Sequence, residues 1–339
     1  MNLRFTGHLL VLAALILATG GMVFAAGGAE AETAEVKEIR LSHSHQASDA
    51  SEIHTAAVVF RDYVNENSDT LEVTVYAANQ LGEEREVYEA IQLGGGATAV
   101  ISGTAILNNF NEKVGVLDLP FLWGGYDHVH QALDGEVGDT LAEELESEGF
   151  KVLAWMDSWG FRNVVTSEIE VTEPEDLEGL RIRTIQTPIY VAALNAMGAN
   201  ATPMAFGEVY TAMQTGVLDG FEHGASVVVA NNFYEVADYI ALTKHLFGPL
   251  VFIYSLDEWE QLSAEEQAVI MEGARRARDE QRRLAPIREE EAFDFLRDEG
   301  MVINDIDTSR FERNALEIQD EIAAERDATD LLEAIRDLR

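Results

Sequence analysis

The stretch from Thr172 to Gly198 narrows the possible folds most. Thr172 and Glu175 have capping-box spacing and Pro174 stands in the first turn, so a short helix is expected there. Gly179 supplies a left-handed stop. Leu180-Arg181-Ile182-Arg183 then alternates apolar and charged residues, as a short strand does, and Thr187-Pro188 restarts a helix that runs to Gly198. A strand feeding a helix is the unit of an α/β fold, and small ligands sit at the carboxyl ends of such strands. Arg183 occupies that place. A guanidinium beside the N–H groups of a helix start makes an anion site, so Arg183 is expected to grip a carboxylate.

The same alternation extends along the chain. Strands are expected at 39–42, 71–76, 98–102 and 151–158, with helices at about 52–65 and 81–94 and two helical stretches between 127 and 149. The segment 117–123 around Pro120 reads as extended and apolar. Strand–helix alternation up to that point implies a mostly parallel sheet. The pattern repeats after Gly160, with a strand at 218–223 and a buried strand at 248–255 crossing back. From Ser263, which has capping-box spacing with Glu266, a helix longer than 30 residues is expected, interrupted only by Pro286. Its five arginines at 275, 276, 278, 282 and 283 alternate with acids, which favours a solvated, internally paired face over a phosphate site.

Composition limits the function classes. The chain has 61 acidic and 23 basic side chains, a formal net charge of −38, so nucleic acid is an implausible partner. Such acidity suits a saline medium, or is that of an ordinary acidic exported protein. Arg4 followed by the apolar run Leu9 to Ala18 and by Ala25-Ala26-Gly27 predicts a secretory signal peptide over 1–26, the run being short for a membrane anchor. An acidic, irregular mature N-terminus follows over 27–35. There is no cysteine, which removes disulfides, a thiol nucleophile and thiolate metal sites. The mature chain is therefore expected to be periplasmic.

The ordered segments QLGEERE (80–86), LDLPF (117–121), GFRN (160–163), PEDLEGLRIR (174–183) and GANATPMAFGEVYTAMQTGVLDGFE (198–222) resemble those of the exported solute-binding component of TRAP transporters, the DctP type. The resemblance covers nearly all of the mature chain. It implies a two-lobed α/β periplasmic-binding-protein fold that closes on its ligand, with a long helix spanning both lobes. One lobe would comprise 36–159 with 249–288, the other 160–248 with 289–339. It also implies a carboxylate contact at Arg183, a second arginine at Arg162, and an aromatic wall at Phe206. Where relatives often carry asparagine, this chain has His223, whose charge would respond to pH. From the first lobe the matching positions are Ser44, His45 and Gln46, then Glu84, then Ser102, where sialic acid receptors carry an acid.

His43 and His45 would share a face of an extended strand, but two histidines alone do not make a zinc site, and no metal or cofactor is expected. Trp155, Trp159 and Tyr190 could stack on a sugar ring, but aromatic residues on strands and helices are usually core. The expected function is therefore a monomeric receptor, not an enzyme. It would bind a small organic acid and deliver it to the TRAP membrane permease subunits, with a sugar acid such as glucuronate or galacturonate favoured. A C4-dicarboxylate is the alternative ligand. An exported carbohydrate-active hydrolase with two carboxylates is the distant alternative, since no serine elbow, zinc-protease helix or phosphate loop is present.

Overall fold

The computed structural model describes residues 36–339. The expected signal peptide and the acidic segment after it lie outside the described residues.

Among the described residues, eleven strands build two sheets. The first contains β1 (Lys37–Ser42), β2 (Leu71–Tyr76), β3 (Ala99–Gly103), β4 (Phe150–Met156) and β10 (Leu250–Ser255), in the order β2-β1-β3-β10-β4. The second contains β5 (Arg162–Thr166), β6 (Arg181–Thr184), β7 (Asn200–Pro203), β8 (Gly220–His223), β9 (Tyr239–Leu246) and β11 (Val302–Asn304), in the order β11-β9-β5-β8-β6-β7. The mostly parallel sheet expected of the first region is only half of what forms. β1 pairs in parallel with β2 and β3, but β10 lies antiparallel between β3 and β4. The reason is topological: β10 arrives from the second sheet and enters from the opposite end. All six of its residues are buried, as its apolar run requires.

Local chemistry places the elements near the unit around Arg183. Pro174–Leu177 is a single 3-10 turn whose cap is one residue later than the spacing suggested. Glu173 is the N-cap, and Asp176 reaches back to accept from the Glu173 and Thr172 amides at 3.0 and 2.8 Å. Gly179 takes the left-handed conformation, with φ of +81°. Pro188 opens the next helix, Pro188–Ala196, from the extended Thr187. The segment 117–123 is not extended throughout, because a 3-10 helix covers Glu112–Asp118 and the Trp123 indole closes back on the Leu117 carbonyl at 2.8 Å.

The long helix, Ala264–Asp298, spans 35 residues and starts at the expected Ser263–Glu266 capping box, with Ser263 N–H donating to Glu266 at 2.7 Å. It packs on the helix Glu52–Asn67 at Gly273, where a Cβ would stand 3.1 Å from Phe60 and Val64. It also touches β4, β11 and the helix Ala225–Ala230, so it borders both sheets. Most of its arginines pair along the helix, as Arg275 and Arg276 do with Glu272 at 2.8 Å. Exposed pairs of this kind contribute little to stability, because solvent screens them. Arg282 instead reaches Asp134 at 2.6 Å and the Trp155 carbonyl at 2.9 Å.

Two short crossings, 157–161 and 247–249, join the sheets. The long helix fastens the first one. Gln281 exchanges two 2.9 Å hydrogen bonds with the Asp157 backbone, and Glu289 accepts from Phe161 N–H at 2.9 Å and from the Tyr126 hydroxyl at 2.8 Å. Gly160 is required there: its φ is +89°, and a Cβ would collide with the Glu289 carboxylate. The C-terminal helices lie across both halves. Phe311 and Ala315 pack with Ile182 and Leu194, whereas Leu332 and Ile335 join Val129 and Leu141.

Candidate functional site

β6 runs parallel to β8 on one side and β7 on the other, with Arg183 opposite Phe221 and Thr202. The strand ends one residue later, and the helix Pro188–Ala196 begins beyond it. Arg183 is 3% exposed. Its Nε and Nη2 both donate to the Met204 carbonyl, at 2.9 and 2.7 Å, and its guanidinium stands 5.8 Å from the centre of the Phe206 ring. Burial, with Arg162 nearby, pushes its pKa down to about 10 against the opposing pull of Glu222, so it is still a cation at neutral pH.

Behind it lies a fully buried ion pair. Arg162 opens β5, and the antiparallel register with β8 brings Glu222 beside it. Arg162 Nε donates to Glu222 Oε2, and Nη2 donates to Oε1 at 2.9 Å and to the Glu222 carbonyl at 3.0 Å. Thr184 Oγ1 adds a third donor at 3.1 Å, and His245 Nε2 lies 3.7 Å from Oε2. The Tyr190 ring stands 5.4 Å from the Arg162 guanidinium. Burial opposes the Glu222 charge, but the Arg162 guanidinium outweighs it and holds the carboxyl well below its usual range. One group stays unspent: Arg162 Nη1 is buried with no hydrogen-bond partner. Arg183 Nη1 likewise donates to no acceptor among the described residues. Each guanidinium thus commits two nitrogens to the protein and keeps one free.

Arg183, Phe206, His223 and Ile185 meet Ser44, His45, Glu84 and Trp159 around one small cavity. His45 stacks on Trp159 with centroids 5.5 Å apart and bonds Ser51 Oγ through Nδ1 at 3.0 Å. His223 meets Trp159 and Phe206 edge-on, at 5.1 and 5.7 Å. Its Nδ1 accepts the Gly224 N–H at 2.9 Å, which leaves Nε2 to carry the proton. Burial, then the two arginines and His45, lowers the His223 pKa well below the usual value, so the pH response expected of it is removed. His45 is pushed down to about 4 by burial and is also neutral. Glu84 accepts from the hydroxyls of Ser102 and, at 3.4 Å, Ser44; burial raises its pKa.

The cavity holds about 20 Å³, room for roughly one water. An organic acid of six carbons enters only when the lining parts. An adjoining groove of about 380 Å³ shares Ser44 and Phe206 with the cavity.

Of the nine positions singled out in the sequence, six line the cavity together: Arg183, His223, Phe206, Ser44, His45 and Glu84. Ser102 stands behind Glu84 as its hydrogen-bond donor. Arg162 lies behind Arg183, engaged with Glu222. Gln46 is exposed and lines only the outer groove. His43 and His45 do not share a face. β1 ends at Ser42, and His43 turns to His54 at 3.1 Å while His45 turns to Ser51. Two features were missed. Trp159, grouped with core aromatics, lines the cavity, whereas Trp155 and Tyr190 are core residues with bonds to Gly138 and Asp118. The ligands of Glu222, Thr184 and His245, come from strands whose register no single segment reveals.

Comparison with known proteins agrees with this geometry. The sequence matches the family described as bacterial extracellular solute-binding protein, family 7, over residues 43–326. It is 33% identical over 291 residues to the 2,3-diketo-L-gulonate-binding periplasmic protein of Escherichia coli, covering 85% of this chain and 88% of that one. Among solved structures, a TRAP periplasmic solute-binding protein from Chromohalobacter salexigens with bound D-glucuronate superposes with a TM-score of 0.85 at 31% identity, over 89% of this chain and 100% of that one. A second, from Sulfitobacter with bound β-D-galacturonate, gives 0.85 at 28% identity, over 89% and 100%. Two sheets joined by short crossings, a long helix bordering both, and a buried arginine pair at their junction accompany a match over most of the sequence: the chain belongs to family 7 of the bacterial extracellular solute-binding proteins.

Proposed function

We propose that this protein is the exported receptor of a TRAP transporter for a sugar acid, a hexuronate such as D-glucuronate or D-galacturonate, and that it hands this solute to the membrane permease without chemical change. The observation that carries the reading is the pair of buried guanidiniums, each with one unspent Nη1. Two nitrogens from two arginines suit the two oxygens of one carboxylate, and buried charge-assisted bonds are the strong ones. The neutral Nε2–H of His223 and the face of Phe206 flank that position, while Glu84 and Ser44 offer acceptors to ligand hydroxyls. Ser102, His45 and Gln46 complete the proposed set, Ser102 by holding Glu84 and Gln46 at the mouth.

The relatives' bound uronates support the same ligand class. The lobes of this reading are the bodies built on the two sheets, and a ligand touching both favours their closure about the crossings 157–161 and 247–249. Capture is then an equilibrium between open and closed forms that the solute shifts.

Calorimetric titration with D-glucuronate, D-galacturonate and succinate, followed by chromatography of the recovered solute, tests the proposal. Saturable 1:1 binding of a uronate with the solute recovered intact is expected. Absence of sugar-acid binding beside tight binding of another class, or conversion of the solute, overturns it.

A further inference from the structure

Glu84 faces the Arg183 guanidinium from across the cavity without pairing with it. It lies in the first turn of the helix Glu84–Gln92, on the side of the first sheet, whereas Arg183 comes from β6 in the second. The charges of Arg183 and Arg162 both act on it. Its two oxygens are not equivalent. Oε1 accepts from Ser102 and Ser44, while Oε2 accepts from no group among the described residues. Ser102 is 1% exposed, so Oε1 is fixed by a donor that solvent does not compete for. The acceptor left to a ligand is Oε2.

An acid whose carboxylate sits on the arginine pair therefore presents its far end to an anionic acceptor. A hydroxyl there donates to Oε2. A second carboxylate has no proton to donate, and in so small a volume it brings a like charge against Glu84, so one of the two must take up a proton for both to fit. We propose that Glu84 is a charge filter: the pocket admits acids with one carboxylate and a hydroxylated far end, and rejects those with a carboxylate at both ends. This rests on the sugar-acid reading and adds to it a selectivity which that reading does not contain.

D-gluconate and D-glucarate differ only in whether the far carbon is a hydroxymethyl or a carboxylate. The test is their affinity ratio, by calorimetry, for the full-length mature protein, Glu84→Gln and Ser102→Ala. The wild type is expected to prefer gluconate by 100-fold or more. Glu84→Gln should lower that ratio below tenfold, by gaining glucarate as well as losing gluconate, because an amide donates as well as accepts. Ser102→Ala should move the ratio the same way by a smaller factor, and it carries the test if Glu84→Gln does not fold. A wild-type ratio within threefold, or variants that weaken both acids by the same factor, overturns the filter. If the wild type binds only the cyclic uronate, D-glucuronate replaces gluconate in the ratio. If it binds no sugar acid, the sugar-acid reading fails but the filter is still tested with 4-hydroxybutyrate against succinate, where equal or inverted preference overturns it.

Discussion

The two sides of the cleft solve different problems with different materials. On the second-sheet side the two arginines and His223 stand on strands, and the Arg162 charge is balanced in place by Glu222. Glu222 accepts from Arg162 and Thr184 with His245 beside it, and Arg183 is braced on the Met204 carbonyl. On the first-sheet side the groups come from the loop after β1 and from a helix start, and the pocket-facing histidine is neutral. The difference is between anchor and selector. On the proposed reading, the carboxylate meets the two buried arginines on the strands, while the far part of the ligand meets groups from a loop and a helix start.

This contrast can be broken at several points. The largest effect is expected at Glu222. Glu222→Ala leaves the Arg162 guanidinium buried without its counter-charge and should cost about 3–5 kcal/mol of stability in denaturant unfolding. A cost under about 1 kcal/mol would show that the anchor side is not charge-compensated as described.

Asp118 comes next, at the point where the two sides meet. It accepts from Tyr190 at 3.1 Å and Thr104 at 3.3 Å, leaves Oδ2 without a partner, and burial pushes its pKa up to about 7. The stability it lends is complete below the ordinary carboxyl range and is lost as pH rises through about 7. Asp118→Asn should therefore stabilise the protein by about 2–3 kcal/mol at pH 8 and hardly at all at pH 4. A gain independent of pH contradicts this assignment.

Phe206→Ala removes the aromatic face 5.8 Å from Arg183 and is expected to weaken uronate binding roughly tenfold, with unfolding stability little changed. The smallest effect expected concerns pH. His45 is pushed down to about 4 and His223 lies well below its usual value, so both are neutral through the working range. Uronate affinity should change by less than about threefold between pH 5.5 and 8, and a steep dependence with a midpoint near the ordinary histidine value would refute their neutrality.

The anchor side was the more legible in the sequence, for a physical reason. The strand–stop–helix punctuation of 174–198 is local, so Gly179, Pro188 and the alternation around Arg183 fixed where that side chain stands. The long helix was equally plain, because its cap and period lie within one continuous segment. What escaped depends on register between distant strands. Glu222 reaches Arg162 only because β5 and β8 pair antiparallel with Val164 opposite Glu222. The antiparallel entry of β10 and the turn of His43 away from His45 follow from tertiary connections that no periodicity encodes. On the selector side, Trp159 has the composition of a core residue and becomes a pocket wall because the crossing 157–161 sets it against His45 and His223.

The central claim is that Arg183 holds the ligand carboxylate. It is tested most directly by titrating D-glucuronate into the wild type, Arg183→Lys and Arg183→Ala by calorimetry. Loss of a buried charge-assisted contact is worth about 3–5 kcal/mol, or roughly 100- to 4,000-fold. Binding by the wild type is therefore expected to disappear in Arg183→Ala, and Arg183→Lys, which keeps the charge but not the planar fork, should fall between them. An Arg183→Ala protein that is folded and binds D-glucuronate within threefold of the wild type would contradict the account.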